Sequence, residues 1–425
     1  MSKAQFIFRQ VLVTDPGSRH NGEVTDILVA NQQIKDIGKQ LEAPEDAIEI
    51  KFSSDAAVAP GIFDMQVCSG EPGFEEKETL SETSQAALKG GVTDFLLMPS
   101  LHPVTDHRSQ VEYLRKLGHS LPVGLHVAGA LSAGMKGADL SELYDMRQGG
   151  ALAFTDDKHP VENTLLLYLA LQYVKVSGGL IMVHCEDPGL RLGGMVHEGE
   201  AAMRIGMKGT PALAEELGVM RAIALSQHLN SKIHLSGIST AASVGLVRRA
   251  KEEGVKVSCS VYAHHLHFND SALQYFDSNF KVWPPLRGEV DRLALIEGLK
   301  DDTIDVICSD HRPETIETKD VEFDFASYGI SGLDTLFGAG YFNFSELNNL
   351  IRKLAYTPRE LLGIEVPTIA KGSAARFFVY HDKNYCFKAG MLGGRAKNTP
   401  FVGQNLRGMV LGCITGEGGW IANKS

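Results

Sequence analysis

The chain has 425 residues, 44% of them hydrophobic and 22% charged, which is a globular composition at a length that permits two or three domains. Its formal net charge of −11 argues against nucleic acids and anionic membrane surfaces as partners, because both bind basic patches. No apolar run reaches the roughly 18 residues of a membrane span, residues 1–5 show no signal peptide, and six cysteines without CxxC pairs predict reduced thiols in a cytoplasmic protein.

The first elements along the chain are short strands. Residues 6–50 alternate between apolar and polar side chains, with turn residues between the alternating runs. From about residue 56, apolar strand-like runs alternate with longer segments of helical periodicity. The strand-like runs span 57–65, 92–98, 122–128, 150–154, 180–184, 232–236, 256–261 and 304–309. The clearest helical segments between them span 79–89, 161–176, 213–228, 240–253 and 291–299.

Eight strands that alternate with helices predict an α/β fold, a TIM-like (β/α)8 barrel of parallel strands. The near-continuous hydrophobicity of the runs fits strands that are buried on both faces. A last helix is predicted over 347–362, and the chain then returns to short strands such as 376–380. We therefore predict a barrel over residues 56–367 and one small β domain built from residues 1–55 and 368–425.

In such a barrel the functional side chains lie at the C-terminal ends of the strands, whatever the chemistry. This rule selects one or two positions on most of the predicted strands. The positions are Gln66, Cys68, Asp157, His184, Gly237, Trp283 and Asp310.

Motifs at and after these strand ends resemble those of dihydroorotases of the long type found in multifunctional complexes. They are EPGFEEKET at 71–79, FTDD at 154–157, HCED at 184–187, PPLR at 284–287, SDHRP at 309–313, GLDT at 332–335 and NTPF at 398–401. The resemblance runs in order over nearly the whole chain. It implies an amidohydrolase-superfamily barrel that hydrolyses the cyclic amide of dihydroorotate with one or two zinc ions, which activate water and polarise the carbonyl.

The chain departs from that family at the end of the first barrel strand. The resemblance implies His-x-His-x-Arg there, with two zinc-binding histidines and an arginine for the substrate carboxylate. This sequence has Gln66, Cys68 and Gly70 instead. A further ligand histidine is expected at the end of strand six, where this chain has Gly237. His234 lies at an odd offset from that position, so we interpret it as a structural residue.

The positions that the resemblance assigns to substrate binding are also replaced. Ser100 and Trp283 stand where asparagines are expected, and Glu314 stands where a histidine is expected. Trp283 would fill space that a flat polar ring should occupy. Glu314 would repel a substrate carboxylate in a pocket of low dielectric constant. We therefore expect no substrate-binding residue of the family to be retained.

Three family positions keep residues that are able to bind a metal: Asp157, His184 and Asp310. In one interpretation they are remnants that hydrogen-bond to one another and to loop amides. In the other they form a reduced mononuclear zinc site, which Cys68 could join as a thiolate. Asp310 would then be the catalytic residue, as ligand and proton shuttle. We favour the remnants, because the loss of several ligands should weaken metal binding many-fold.

Two functional hypotheses follow from the resemblance. The first is a dihydroorotase-like pseudoenzyme of pyrimidine biosynthesis that has no hydrolase activity, needs no cofactor and acts as a non-catalytic partner of aspartate transcarbamoylase. The second is a zinc-dependent cyclic amidohydrolase, a dihydroorotase or a relative, that uses Asp157, His184 and Asp310. Under either hypothesis the resemblance implies a homo-oligomer, most simply a dimer, in the cytoplasm.

Overall fold

The alternation after residue 56 folds into a barrel, and the two ends of the chain form a separate sheet. A computed structural model describes residues 5–52, 55–344, 346–416 and 418–422. The strands are β1 (Gln5–Val13), β2 (Val24–Ala30), β3 (Gln33–Gly38), β4 (Ala47–Lys51), β5 (Ala56–Pro60), β6 (Ile62–Val67), β7 (Val92–Leu97), β8 (Gly124–Gly129), β9 (Ala153–Phe154), β10 (Leu180–Val183), β11 (Val196–His197), β12 (Gly209–Thr210), β13 (Ile233–Leu235), β14 (Val257–Tyr262), β15 (Val306–Cys308), β16 (Phe377–Cys386), β17 (Asn405–Thr415) and β18 (Gly418–Ile421).

The helices lie mostly between the barrel strands. They are α1 (Leu80–Lys89), α2 (Arg108–Gly118), α3 (Leu143–Gly149), α4 (Thr164–Ser177), α5 (Pro188–Arg191), α6 (Glu200–Ile205), α7 (Leu213–Leu229), α8 (Ala241–Glu252), α9 (Ala263–His267), α10 (Glu289–Lys300), α11 (Ile316–Lys319), α12 (Leu336–Asn343), α13 (Leu347–Ile351) and α14 (Thr357–Leu362). The five helical segments named from the sequence coincide with α1, α4, α7, α8 and α10 to within about three residues. No helix in the described part of the chain is long and apolar enough to span a membrane.

Eight parallel strands form the barrel in the order β6, β7, β8, β9, β10, β13, β14, β15. A β-bridge between Val67 and His311 brings the first and last strands of the barrel together. Most strand residues are fully buried, because their inner faces fill the barrel and their outer faces pack against the helices. The predicted TIM-like fold is confirmed.

The first predicted barrel strand is two strands. The apolar run 57–65 divides at Gly61, so that β5 belongs to the sheet of the chain ends and β6 to the barrel. A Cβ atom at Gly61 would overlap the side chain of Thr93, so glycine permits the close approach at the junction. The run is apolar on both sides of the break because both strands are buried, and the sequence pattern therefore hides the division.

The chain ends meet in one mixed sheet, as the sequence predicts. Its order is β18, β17, β16, β5, β1, β2, β3, with β4 paired to β1. The strands of the two ends are joined through β5, which pairs with β1 on one side and β16 on the other. Residues 1–4, 53–54, 417 and 423–425, which the predicted β domain and the signal-peptide interpretation include, lie outside the described residues.

The predicted last helix, 347–362, is α13 and α14 joined by a π-helical turn over Arg352–Tyr356. It ends at Gly363 in the left-handed conformation, as the glycine predicts. Arg359 in this helix is 1% exposed and donates to Asp94 Oδ2 (2.6 Å) and to the carbonyl of Gly61 (2.7 Å). One side chain thus ties the last helix to the first two barrel strands.

Asp334 gives the stability a pH dependence that the sequence did not suggest. Its Oδ1 accepts from the Gly393 amide at 2.7 Å, its Oδ2 has no described partner, and burial raises its pKa to about 7. The folded state therefore binds this proton more tightly than the unfolded state, and stability falls as the pH rises towards 7.

Between about pH 5 and about pH 8, we expect the free energy of unfolding of wild type to fall by roughly 2 kcal/mol more than that of Asp334→Asn. The variant keeps the acceptor for the Gly393 amide and removes the ionisation. Urea unfolding at both pH values measures the difference, and equal losses in the two proteins would contradict the assignment.

Candidate functional site

The two strand-end carboxylates, Asp157 after β9 and Asp310 after β15, turn into the barrel mouth from opposite sides. Strands four and eight lie across the barrel from each other, and both aspartates are nearly fully buried. Both also adopt left-handed backbone conformations, with φ of 52° and 54°. Such conformations are unfavourable for aspartate and concentrate at functional sites, so the fold holds these two side chains in place.

Asp157 is surrounded by hydrogen-bond donors. Gln66 Nε2 donates to its Oδ1 at 3.2 Å, and Ser100 Oγ donates to its Oδ2 at 2.7 Å. Arg312 contacts the same Oδ2 at 2.5 Å, and the Cys68 thiol lies 3.7 Å from it. Gln66, Ser100 and Cys68, which stand where the resemblance implies other residues, therefore all contact the retained Asp157.

Asp310 is paired with Lys158, whose Nζ lies 2.7 Å from Oδ1. The same ammonium group donates to the Tyr262 hydroxyl at 2.8 Å and to the Trp283 carbonyl at 2.7 Å. A lysine has three donors, and all three are used here. Lys158 is thus fully satisfied inside the mouth and connects three different strand ends.

Tyr262 occupies the space next to Gly237, where the resemblance places a ligand histidine. Gly237 has φ +66°, and a Cβ atom there would overlap the Tyr262 ring. The ring is fully buried and stacks on His264 and His265. A side chain at position 237 therefore has neither the backbone conformation nor the space it needs.

Trp283 and His184 line the same small cavity. The Trp283 Nε1 donates to Glu186 at 3.0 Å, and the Arg191 guanidinium lies 3.8 Å from the centre of the Trp283 ring. His184 Nε2 is 3.4 Å from Glu186 without hydrogen-bond geometry, and neither of its ring nitrogens has a described partner. The cavity beside these residues has about 10 Å³, which is room for roughly one water molecule.

The remaining replaced positions lie at the edge of the mouth. A Cβ atom at Gly70 would overlap the Phe74 carbonyl, so the loop leaves no place for the arginine that the resemblance expects. Glu314 is buried and pairs with Lys77 at 2.8 Å. It lines a cleft of about 1020 Å³ with loop residues, and neither Asp157 nor Asp310 lines that cleft.

Burial and internal charges set the ionisation of the mouth. Burial opposes the ionisation of Asp157, but Arg312 and Lys158 outweigh it and lower the pKa to about 2. Burial raises the pKa of Asp310 and lowers that of Lys158, so these two groups depend on their mutual contact to stay charged. Burial also raises the pKa of the Cys68 thiol to about 12, so this thiol is protonated in the metal-free mouth.

The donor set does not fit a metal ion in this arrangement. No group of three or more His, Cys, Asp or Glu side chains within the described ranges is placed to hold one. Of the proposed ligands, Asp157 and Cys68 meet each other, whereas Asp310 pairs with Lys158, and His184 approaches only Glu186, at 3.4 Å. One oxygen of each aspartate already contacts a cation of the chain: Oδ2 of Asp157 contacts Arg312, and Oδ1 of Asp310 contacts Lys158.

Sequence reasoning missed Lys158, Arg312 and Tyr262. A signal was present, since Lys158 directly follows Asp157 and Arg312 lies two residues after Asp310. Their pairing is crossed, however, because each cation contacts the aspartate of the other strand end. Spacing along the chain does not reveal such a contact.

The fold is shared with solved hydantoinases. The L-hydantoinase (dihydropyrimidinase) from Arthrobacter aurescens superposes with a TM-score of 0.86 at 21% identity, over 99% of this chain and 96% of that one. The D-hydantoinase from Bacillus sp. AR9 gives a TM-score of 0.81 at 18% identity. At such identities the likeness shows the fold alone.

The sequence comparisons are more specific. The family model described as Dihydro-orotase-like matches residues 56–243. The dihydroorotase of Pelotomaculum thermopropionicum is 37% identical over 400 residues, which are 93% of each chain. That of Geobacter metallireducens is 37% identical over 410 residues, 95% of this chain and 96% of the relative. Over so much of both chains, such identity shows that this chain belongs to the dihydroorotase-like family of the amidohydrolase superfamily.

Proposed function

We propose that the chain is a dihydroorotase-family protein of pyrimidine metabolism that does not hydrolyse dihydroorotate and acts as a non-catalytic partner of aspartate transcarbamoylase. The observation that carries the first part is the crossed pairing in the mouth. Arg312 neutralises Asp157 and Lys158 neutralises Asp310, so neither carboxylate is free to hold a metal ion or move a proton.

The shape of the mouth supports the same conclusion. Trp283 lines the small cavity beside His184, and the Tyr262 ring fills the space beside Gly237. The cavity that His184 and Trp283 line has about 10 Å³, whereas pockets for small ligands usually have at least about 300 Å³. A dihydroorotate ring therefore does not fit beside His184 without rearrangement of these side chains.

A second candidate is a zinc-dependent cyclic amidohydrolase that uses Asp157, His184 and Asp310. The comparisons support this candidate better than the first, because the relatives from Pelotomaculum and Geobacter carry the name of the enzyme and not of a non-catalytic partner. Bound zinc would supply an activated water and a polarised carbonyl. In this chain, Arg312 and Lys158 would first have to release the two aspartates.

A hydrolysis assay separates the two candidates. We expect the purified protein, incubated with zinc and dialysed, to hydrolyse dihydroorotate no faster than a protein-free solution. The dihydroorotase of Geobacter metallireducens, treated identically, is the positive control. Zinc-dependent hydrolysis that disappears in Asp310→Asn would establish the second candidate and overturn the first.

The partner role predicts a stable complex. We expect the chain to co-sediment with purified aspartate transcarbamoylase from the same organism in analytical ultracentrifugation, and independent sedimentation of the two proteins would overturn this role.

We also propose a homodimer, supported by an apolar stripe on α4 in which Leu165, Leu169, Tyr173 and Val176 are 42–92% exposed. Sedimentation of the chain alone as a monomer would contradict the dimer.

A further inference from the structure

We propose that Lys158 and Arg312 take the place of metal charge in the barrel mouth, so that the fold is held together by cations of the chain itself. The inference goes beyond the proposed function, which concerns catalysis and a partner. It rests on that function in one respect, namely that the wild-type mouth is not a metal site. The hydrolysis assay tests the proposed function, whereas measurements of stability test this inference.

The charge balance of the mouth is the first observation. Asp157 and Asp310 bring two negative charges to the centre of the barrel, where both side chains are at most 5% exposed. Buried carboxylates are tolerated when they are paired or bind a metal. Here each carboxylate meets one cation at 2.5 or 2.7 Å, and the four charges sum to zero.

The geometry of the pairing is the second observation. Lys158 follows Asp157 on strand four but pairs with Asp310 on strand eight, and Arg312 on the strand-eight side pairs with Asp157. The two ion pairs therefore cross the barrel in opposite directions. A metal ion shared between strand ends would join opposite sides of a barrel mouth in the same way, so the ion pairs supply a structural link as well as charge.

The third observation is that other residues hold the Lys158 ammonium group in place. Lys158 uses its other two donors on the Tyr262 hydroxyl and the Trp283 carbonyl. Tyr262 in turn fills the space beside Gly237. The Tyr262 side chain and the Trp283 backbone therefore hold the lysine in place.

Charge deletion followed by neutralisation of the partner tests the first ion pair. We expect Lys158→Met to lower the melting temperature by about 5 °C or more, because Asp310 is left buried without a cation. Lys158→Met/Asp310→Asn should recover about half of that loss or more, since it removes the unpaired charge. Both proteins lack the contacts to Tyr262 and Trp283, so the comparison isolates the cost of leaving the Asp310 carboxylate without its cation. A double variant no more stable than Lys158→Met would overturn the inference.

Zinc titration tests whether the two cations stand in for a metal. In thermal unfolding with and without added zinc, we expect no shift for wild type and a clear upward shift for Lys158→Met/Arg312→Met, whose two carboxylates are then free. Lys281→Met is the control, because that buried ammonium donates to the carbonyls of Phe323 and Asp324 and pairs with no carboxylate in the described part of the chain. It should be destabilised without a response to zinc.

Two results of the zinc titration would overturn the inference. A zinc-dependent rise in the melting temperature of wild type would overturn the inference, since its mouth would then bind the metal with both cations in place. A folded Lys158→Met/Arg312→Met protein that does not respond to zinc would overturn it as well. If that variant fails to fold, Lys158→Met and Arg312→Met are titrated separately, and the absence of a zinc-dependent rise in both melting temperatures would overturn the inference.

Discussion

Replacing Arg359 by methionine is expected to lower the free energy of unfolding by about 3–5 kcal/mol, the usual effect of breaking a buried ion pair. The guanidinium is 1% exposed and donates to Asp94, to Thr93 and to the carbonyls of Gly61 and Ala355. Burial opposes the ionisation of Asp94, yet Arg359 and its neighbours hold the pKa of this carboxyl well below its usual range. Without Arg359 an ionised carboxylate and two carbonyls lose their buried donor.

Arg376 provides a matched control for this prediction. It contacts the other oxygen of Asp94 at 2.7 Å, but its side chain is 26% exposed. Solvent screens this pair, so Arg376→Met should cost about 1 kcal/mol. Urea unfolding of the two variants measures the difference. If Arg359→Met and Arg376→Met lose the same free energy of unfolding, the burial of Arg359 does not strengthen its contribution, and the prediction is contradicted.

Restoring the expected ligand histidine by Gly237→His is expected to destabilise the protein by about 4 kcal/mol or more instead of creating a zinc ligand. The backbone at this position is left-handed, and a Cβ atom would overlap the ring of Tyr262. The ring cannot move aside easily, because it is fully buried and its hydroxyl accepts from Lys158. The effect combines backbone strain with a steric clash.

Two alanine variants separate these contributions. Gly363 has a similar φ of +70°, and a Cβ atom there would have no neighbour within 4 Å. Gly363→Ala therefore measures the backbone strain alone, about 1–2 kcal/mol. Gly237→Ala adds the clash with Tyr262 and should lose clearly more in urea unfolding. A Gly237→His protein that is as stable as wild type and binds zinc would contradict the assignment of Tyr262.

The fold was predictable from the sequence because the barrel depends on a repeated local pattern. Apolar runs of strand length separated by amphipathic helical segments are sufficient to indicate eight parallel strands. The division at Gly61 was not predictable in the same way. Both β5 and β6 are buried, so one continuous apolar run serves two sheets, and the break depends on the approach of Thr93 from another strand.

The candidate site was predictable only in part. The replaced positions at Gln66, Cys68 and Gly237 follow from comparing motifs strand by strand. The sequence did not show what stands in their place, because Lys158 and Arg312 find their partners across the barrel. The left-handed conformations of Asp157 and Asp310 were equally hidden, since such conformations are uncommon for aspartate and depend on the surrounding fold.

The metal content of the wild-type protein tests the central claim most directly. The protein should be incubated with excess zinc, dialysed and measured by inductively coupled plasma mass spectrometry. Because Lys158 and Arg312 neutralise the two strand-end aspartates, we expect well below one zinc ion per chain. One zinc ion per chain that is lost in both Asp157→Asn and Asp310→Asn would contradict the account.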